Sequence, residues 1–189
     1  MNCTLIALVE DKPGVLNRVA SLFRRRAFNI ESLTVGHTER PGVSRMTIVV
    51  DNERTDVQKV AQNLYKLVNV IHVEDVTNRP TVMRDLALIQ VQADSQTRSE
   101  VMQLVDTFRA RVVDVGLESL MVEVTGTDQK VERLVDVLRP FGILEMVRTG
   151  RVAMVRGDNG NGNGSKPVPM STGMTVPANN TKEELYGEN

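Results

Sequence analysis

The run Glu10-Asp11-Lys12-Pro13-Gly14-Val15-Leu16 is where this chain first offers chemistry. An apolar stretch, residues 5–9, ends in a carboxylate. A Pro-Gly turn then opens a segment whose apolar residues recur at helical spacing. A glycine at that point exposes the first backbone N–H groups of a helix, at the positive end of its dipole, where a small anion can be held. Such a turn can grip the carboxylate of an amino acid, with Asp11 close enough for its ammonium group. A second motif, Asn29-Ile30-Glu31-Ser32-Leu33-Thr34-Val35, follows after one helix length. The same Pro-Gly turn also serves as a plain strand-to-helix connection that binds nothing. From the residues of the turn alone, both readings stand.

Catalytic patterns do not accompany it. The chain has no His-Glu-x-x-His, no Gly-x-Ser-x-Gly and no phosphate-binding Walker motif. One cysteine, Cys3, precludes an intrachain disulfide, and with only His37 and His72 beside it a structural zinc site is not expected. Both histidines read as solvated loop or strand residues. Arg24-Arg25-Arg26 closes the first helix, where cations meet the negative end of the dipole. A net charge of −1 removes the bulk-electrostatic case for nucleic-acid binding. No apolar stretch nears the ~18 residues of a membrane span, no secretory signal is legible, and the expected location is the cytoplasm.

The elements that must position the turn follow from periodicity. Residues 4–10 read as a strand, and Val15, Leu16, Val19, Leu22 and Phe23 mark one helix face. Residues 29–39 and 43–51 flank Pro41-Gly42 as a hairpin. Val57, Val60, Ala61, Leu64 and Leu67 mark a second helix, and residues 70–76 a last strand. The order then repeats: strand 86–93, a helix on Val101, Leu104, Val105 and Phe108, a hairpin over 111–116 and 119–125, a helix on Val131, Leu134, Val135 and Leu138, and a closing strand or strands over 143–155.

The fold class expected is therefore α+β: two consecutive ferredoxin-like βαββαβ units, 2–78 and 79–156. Each is a four-stranded antiparallel sheet with both helices on one face. A lone unit leaves its other face and its edge strands open, and both need partners. Beyond, 157–189 holds six of the 13 glycines and the low-complexity run 159–164, and reads as a disordered tail. RNA-recognition modules share the βαββαβ order but need exposed aromatics on the central strands. Here the four phenylalanines fall at helix or post-helix positions.

Three segments together resemble a known family: LVEDKPGVLNRVASLFRRRAFNIESLTVG, SRMTIVV and LYKLVNVIHVEDVT. The sequence is similar to the regulatory (small) subunits of acetolactate synthase over about residues 2–157. The resemblance implies that 2–78 is an ACT domain, an amino-acid sensor, and that 79–156 is an ACT-like relative of it. It implies a non-catalytic chain that activates a separate catalytic large subunit and confers inhibition by valine, with leucine or isoleucine as further effectors, in branched-chain amino-acid synthesis. Thiamine diphosphate, Mg²⁺ and FAD are expected in that partner and no cofactor in this chain.

By the same resemblance the effector sits between two ACT domains of a homodimer. One chain supplies Asp11, Pro13, Gly14, Val15 and Leu16, and the other supplies Asn29 and Ile30. Some members carry asparagine where this chain has Asp11. The second repeat has Asp94-Ser95-Gln96-Thr97 in place of the Pro-Gly turn and is expected to lack such a site. The alternative functions are a free-standing amino-acid sensor or a regulator of another enzyme.

Overall fold

Alternating burial dictates the first sheet. In the computed structural model, which describes residues 2–51 and 56–157, β1 (Asn2–Glu10) sends Cys3, Leu5, Ala7 and Val9 to one face. β3 (Val43–Asp51) adds Met46, Ile48 and Val50 to that face. Helices α1 (Val15–Arg25) and α2 (Val57–Leu64) cover it with Val15, Val19, Leu22, Phe23, Val57, Val60 and Leu64. With β2 (Ile30–His37) and β4 (Val70–Asp75), the strand order is β2-β3-β1-β4, which puts β2 at an edge. The expected helix face holds except at Leu16, which is 47% exposed. It lies one 100° step beyond Val15, on the flank of the buried stripe.

The second sheet repeats the plan. β5 (Thr81–Gln92), β6 (Arg111–Val115), β7 (Ser119–Gly126) and β8 (Ile143–Arg148) run in the order β6-β7-β5-β8. Helices α3 (Arg98–Thr107) and α4 (Asp128–Leu138) lie over Ala87, Ile89, Val91, Leu120, Val122 and Val124. Both halves turn from first helix to edge strand in the same way. Ala27 and Arg109 have positive φ, and the next N–H, of Phe28 or Ala110, donates to the carbonyl five residues back. In the first half the ring of Phe28 then meets Phe23 edge-on, with centroids 5.9 Å apart, and so fixes where the strand begins, at Ile30.

The open face of the first sheet differs from expectation. The closing segment is two strands: after β8 the chain turns and β9 (Val152–Val155) pairs with the start of β5, Thr81 to Arg84. This places Ala153 against Ile6 and Val76 on the face opposite the helices, with Met83 and Val155 alongside. Arg45 donates to the Ala153 carbonyl at 2.7 Å. Part of the face that a lone unit would leave bare is thus covered from within the chain, and both sheets belong to one compact unit that ends at Arg156. The tail expected over 157–189 lies outside the described residues from 158 onward.

Candidate functional site

The turn after β1 is tied down on three sides. Asp11 N–H donates to the Gly42 carbonyl at 2.8 Å, and Glu10 N–H to the Asn69 carbonyl at 2.9 Å. The Asn69 side chain donates to the Glu10 carboxylate at 2.6 Å and accepts from Arg18 on α1 at 2.8 Å. Lys12 reaches the same carboxylate at 3.1 Å. Asn69 first, then Lys12, holds the Glu10 carboxyl below the ordinary carboxylate value. A depressed value favours the folded state above the ordinary one and is lost as pH falls through it, so this anchor is intact throughout the neutral range.

Gly14 is the N-cap of α1, at φ +83°, and no side chain caps the helix. A Cβ at Gly14 would meet nothing within 4 Å. Asp56 and Thr127 cap α2 and α4 through their side chains, whereas the N-cap residues of α1 and α3, Gly14 and Thr97, make no such bond. Val15 is buried in the core, while Asp11, Pro13 and Leu16 face solvent around the uncapped amides.

The structure sets the two expected parts of the site apart. Ile30 pairs with Val50, which pairs with Cys3, so β2 begins in the row where β1 begins. The Pro-Gly turn follows Glu10, at the other end of β1. At ~3.4 Å per residue, Asn29 and Ile30 lie about 25 Å from the turn of the same chain. Asn29 is exposed and donates to the Glu31 carboxylate, and Ile30 is half-buried against the first core.

From β2, the residue that meets the turn is His37, at the far end of the strand, whose Nδ1 stands 3.2 Å from Asp11 Oδ2. Sequence reading left His37 as a solvated histidine. The signal that finds it is topological: β2 runs parallel to β1, so the strand that starts away from the turn must end beside it. This contact is exposed and becomes an ion pair when the imidazole is protonated, a kind worth ~0.2–1 kcal/mol. His37→Ala is expected to free Asp11 for a ligand ammonium. By the effector role that the family resemblance implies, the valine concentration needed for half-inhibition should then fall by up to about fivefold; a rise would show that His37 itself serves the ligand.

In the second repeat the equivalent corner is already filled. Asp94 accepts from the N–H groups of Gln96 (2.9 Å) and Thr97 (2.8 Å) and from the Thr97 hydroxyl (2.8 Å). The Thr97 backbone N–H is the chief cause that holds the Asp94 carboxyl below its ordinary value. Arg98 donates to the carbonyls of Ala93, Gly116 and Leu117. A carboxylate of the chain itself occupies the helix end that α1 leaves open.

A second charged cluster sits at the start of α4. Arg148 bridges Asp85 (3.4 Å), Asp128 (2.8 Å) and Glu132. Burial first, then Asp128, raises the Asp85 carboxyl above its ordinary value. The folded state is therefore favoured further as pH falls from that raised value toward the ordinary one. Beside the cluster runs a cleft of about 520 Å³ between β2 and the segment 148–151. Among the described residues no cluster of histidine, cysteine, aspartate or glutamate can hold a metal ion. No helix there is long and apolar enough to cross a membrane.

Two ferredoxin-like sheets, an open glycine-capped helix and a free edge strand beside it define an ACT-type protein. Comparison agrees: residues 5–72 match the AHAS small subunit-like ACT domain, and 84–157 match the model described as the small subunit of acetolactate synthase. The acetolactate synthase small subunit of Mycobacterium leprae is 55% identical over 159 residues, covering 84% of this chain and 94% of that protein. The Bacillus subtilis one is 45% identical over 163 residues, 86% and 95%. The crystal structure of the Thermotoga maritima small subunit superposes with a TM-score of 0.79 at 40% identity, covering 84% of this chain and 99% of that one. This chain belongs to the family of acetolactate synthase small subunits.

Proposed function

We propose that this chain is the regulatory partner of an acetolactate synthase catalytic large subunit in the cytoplasm. It raises that subunit's activity and makes it answer to valine, with leucine or isoleucine as further effectors. Thiamine diphosphate, Mg²⁺ and FAD belong to the catalytic partner, which condenses two pyruvates to acetolactate with loss of CO₂.

The observation that carries this reading is the separation of the turn from Asn29–Ile30 within one chain. An edge strand paired with its own copy across a two-fold axis runs antiparallel to it. The partner's β2 then begins where this chain's β2 ends, beside Asp11 and Gly14. In that homodimer the effector carboxylate meets the open amides of α1, and its ammonium group meets Asp11. The partner's Asn29 adds hydrogen bonds. Exposed Leu16 offers apolar contact for a branched side chain. The site couples to the catalytic subunit only through a difference in effector affinity between the active and inhibited complexes, ~1–3 kcal/mol in typical cases.

Reconstitution tests the reading. The cognate catalytic subunit is assayed for acetolactate alone, with this chain, and with this chain plus valine. Higher activity in the second mixture and a fall in the third are expected, with no acetolactate from this chain alone. Absence of activation would favour a free-standing sensor, and turnover by this chain alone would refute the regulatory role.

A further inference from the structure

The effector strand is held from the second half of the chain. Ser32 and Thr34 lie on the face of β2 away from the helices, two and four residues beyond Ile30. Arg151 N–H donates to Ser32 Oγ at 3.0 Å, and Thr34 Oγ1 donates to the Thr149 carbonyl at 3.3 Å. Between them Gly150 has φ +82°, and a Cβ there would stand 2.4 Å from Ser32 Oγ and 3.2 Å from Thr34 Oγ1. Only glycine combines that backbone conformation with so close an approach.

The loop is itself braced. Thr149 N–H donates to the Leu86 carbonyl at 3.1 Å, and the preceding Arg148 is held by Asp85, Asp128 and Glu132. Arg151 extends the joint to Thr4 on β1 through its guanidinium, at 3.4 Å. A chain of direct contacts thus runs from α4 through Arg148 and Gly150 to the strand that begins at Ile30, next to Asn29.

We propose that the loop 149–151 is a positioning element for the effector strand: through Gly150 and Ser32 the second domain sets the placement of Asn29 and Ile30, and with it the response to valine, without touching the effector. The proposal rests on the effector reading above for its consequence and on the joint alone for its geometry. Simple glue between domains would leave the effector response unchanged whenever the chain stays folded and still activates the catalytic subunit.

The test uses the full chain with Gly150→Ala, Ser32→Ala and both together. A methyl at Gly150 displaces the Ser32 hydroxyl and breaks its bond to Arg151, and alanine is strained at this φ. Amide hydrogen exchange without effector should quicken by about tenfold over 30–37 in Gly150→Ala while 119–126 keeps the parent rate. In the reconstituted complex the half-inhibiting valine concentration should rise by about fivefold, with maximal activation retained. Both single variants break the same bond, so the double variant should fall short of the product of their effects.

Parent exchange rates over 30–37 in Gly150→Ala would overturn the proposal whatever valine does. Faster exchange with an unchanged response, in a parent that valine inhibits, would overturn the link to the effector. A parent that valine does not inhibit would refute the effector reading, and the exchange result would still decide whether the loop positions the strand.

Discussion

Gly14→Asp should raise the valine concentration that half-inhibits the reconstituted complex by about 30-fold or more, a loss of about 2 kcal/mol or more. Open space surrounds a Cβ at this position, so the new side chain does not collide with its own domain. Aspartate is among the residues that tolerate a positive φ, at a cost of ~1–2 kcal/mol. Its carboxylate also makes a good N-cap, which offsets part of that cost.

The variant should therefore fold and still activate, because α1 packs through Val15, Val19, Leu22 and Phe23. What it loses is the vacancy. The carboxylate takes the amides of α1 as Asp94 takes those of Gln96 and Thr97, and it repels an incoming effector carboxylate. The first turn becomes electrostatically like the second. Asp94→Ala is the control and should leave the valine response unchanged. A valine-sensitive Gly14→Asp beside a resistant Asp94→Ala would place the effector in the other half of the chain.

A mixing experiment tests the shared site directly. Asn29→Ala alone should weaken valine by about 1–3 kcal/mol, the worth of hydrogen bonds lost from a site that closes on the ligand. Each homodimer of Gly14→Asp or of Asn29→Ala then has two damaged sites. In a heterodimer one site combines both lesions, and the other combines the intact turn of one chain with the intact Asn29 of its partner. After exchange at equal amounts, about a quarter of all sites regain parent affinity, by the symmetry of a two-fold dimer. Calorimetric titration of the mixture should show that tight fraction, and neither variant alone should. If turn and asparagine served one site within one chain, mixing would restore nothing.

Much of this was legible in the residues because much of it is local. Apolar periodicity reports which side of a strand or helix is buried, so both βαββαβ units and nearly all core positions follow from it. The turn was legible for the same reason: Pro13-Gly14 between an apolar strand and an apolar-periodic helix allows few conformations. Leu16 was the exception, since a residue on the flank of a helix stripe is buried or bare according to what lies beside it. Residues 81–84 were missed as strand, because they gain their ladder from β9, about seventy residues later.

The sequence by itself determined the element order, the two cores, the repeat and the glycine at the start of α1. Tertiary structure decided the rest. It carried Asn29 and Ile30 to the end of the sheet opposite their own chain's turn, because β2 and β1 run parallel. It put His37 beside Asp11 for the same reason. It laid the loop 149–151 on Ser32 and Thr34, more than a hundred residues away in the chain. Periodicity follows from the bonds between neighbours, whereas those contacts exist only once two sheets have formed and one backbone, at Gly150, is bare enough to approach the other.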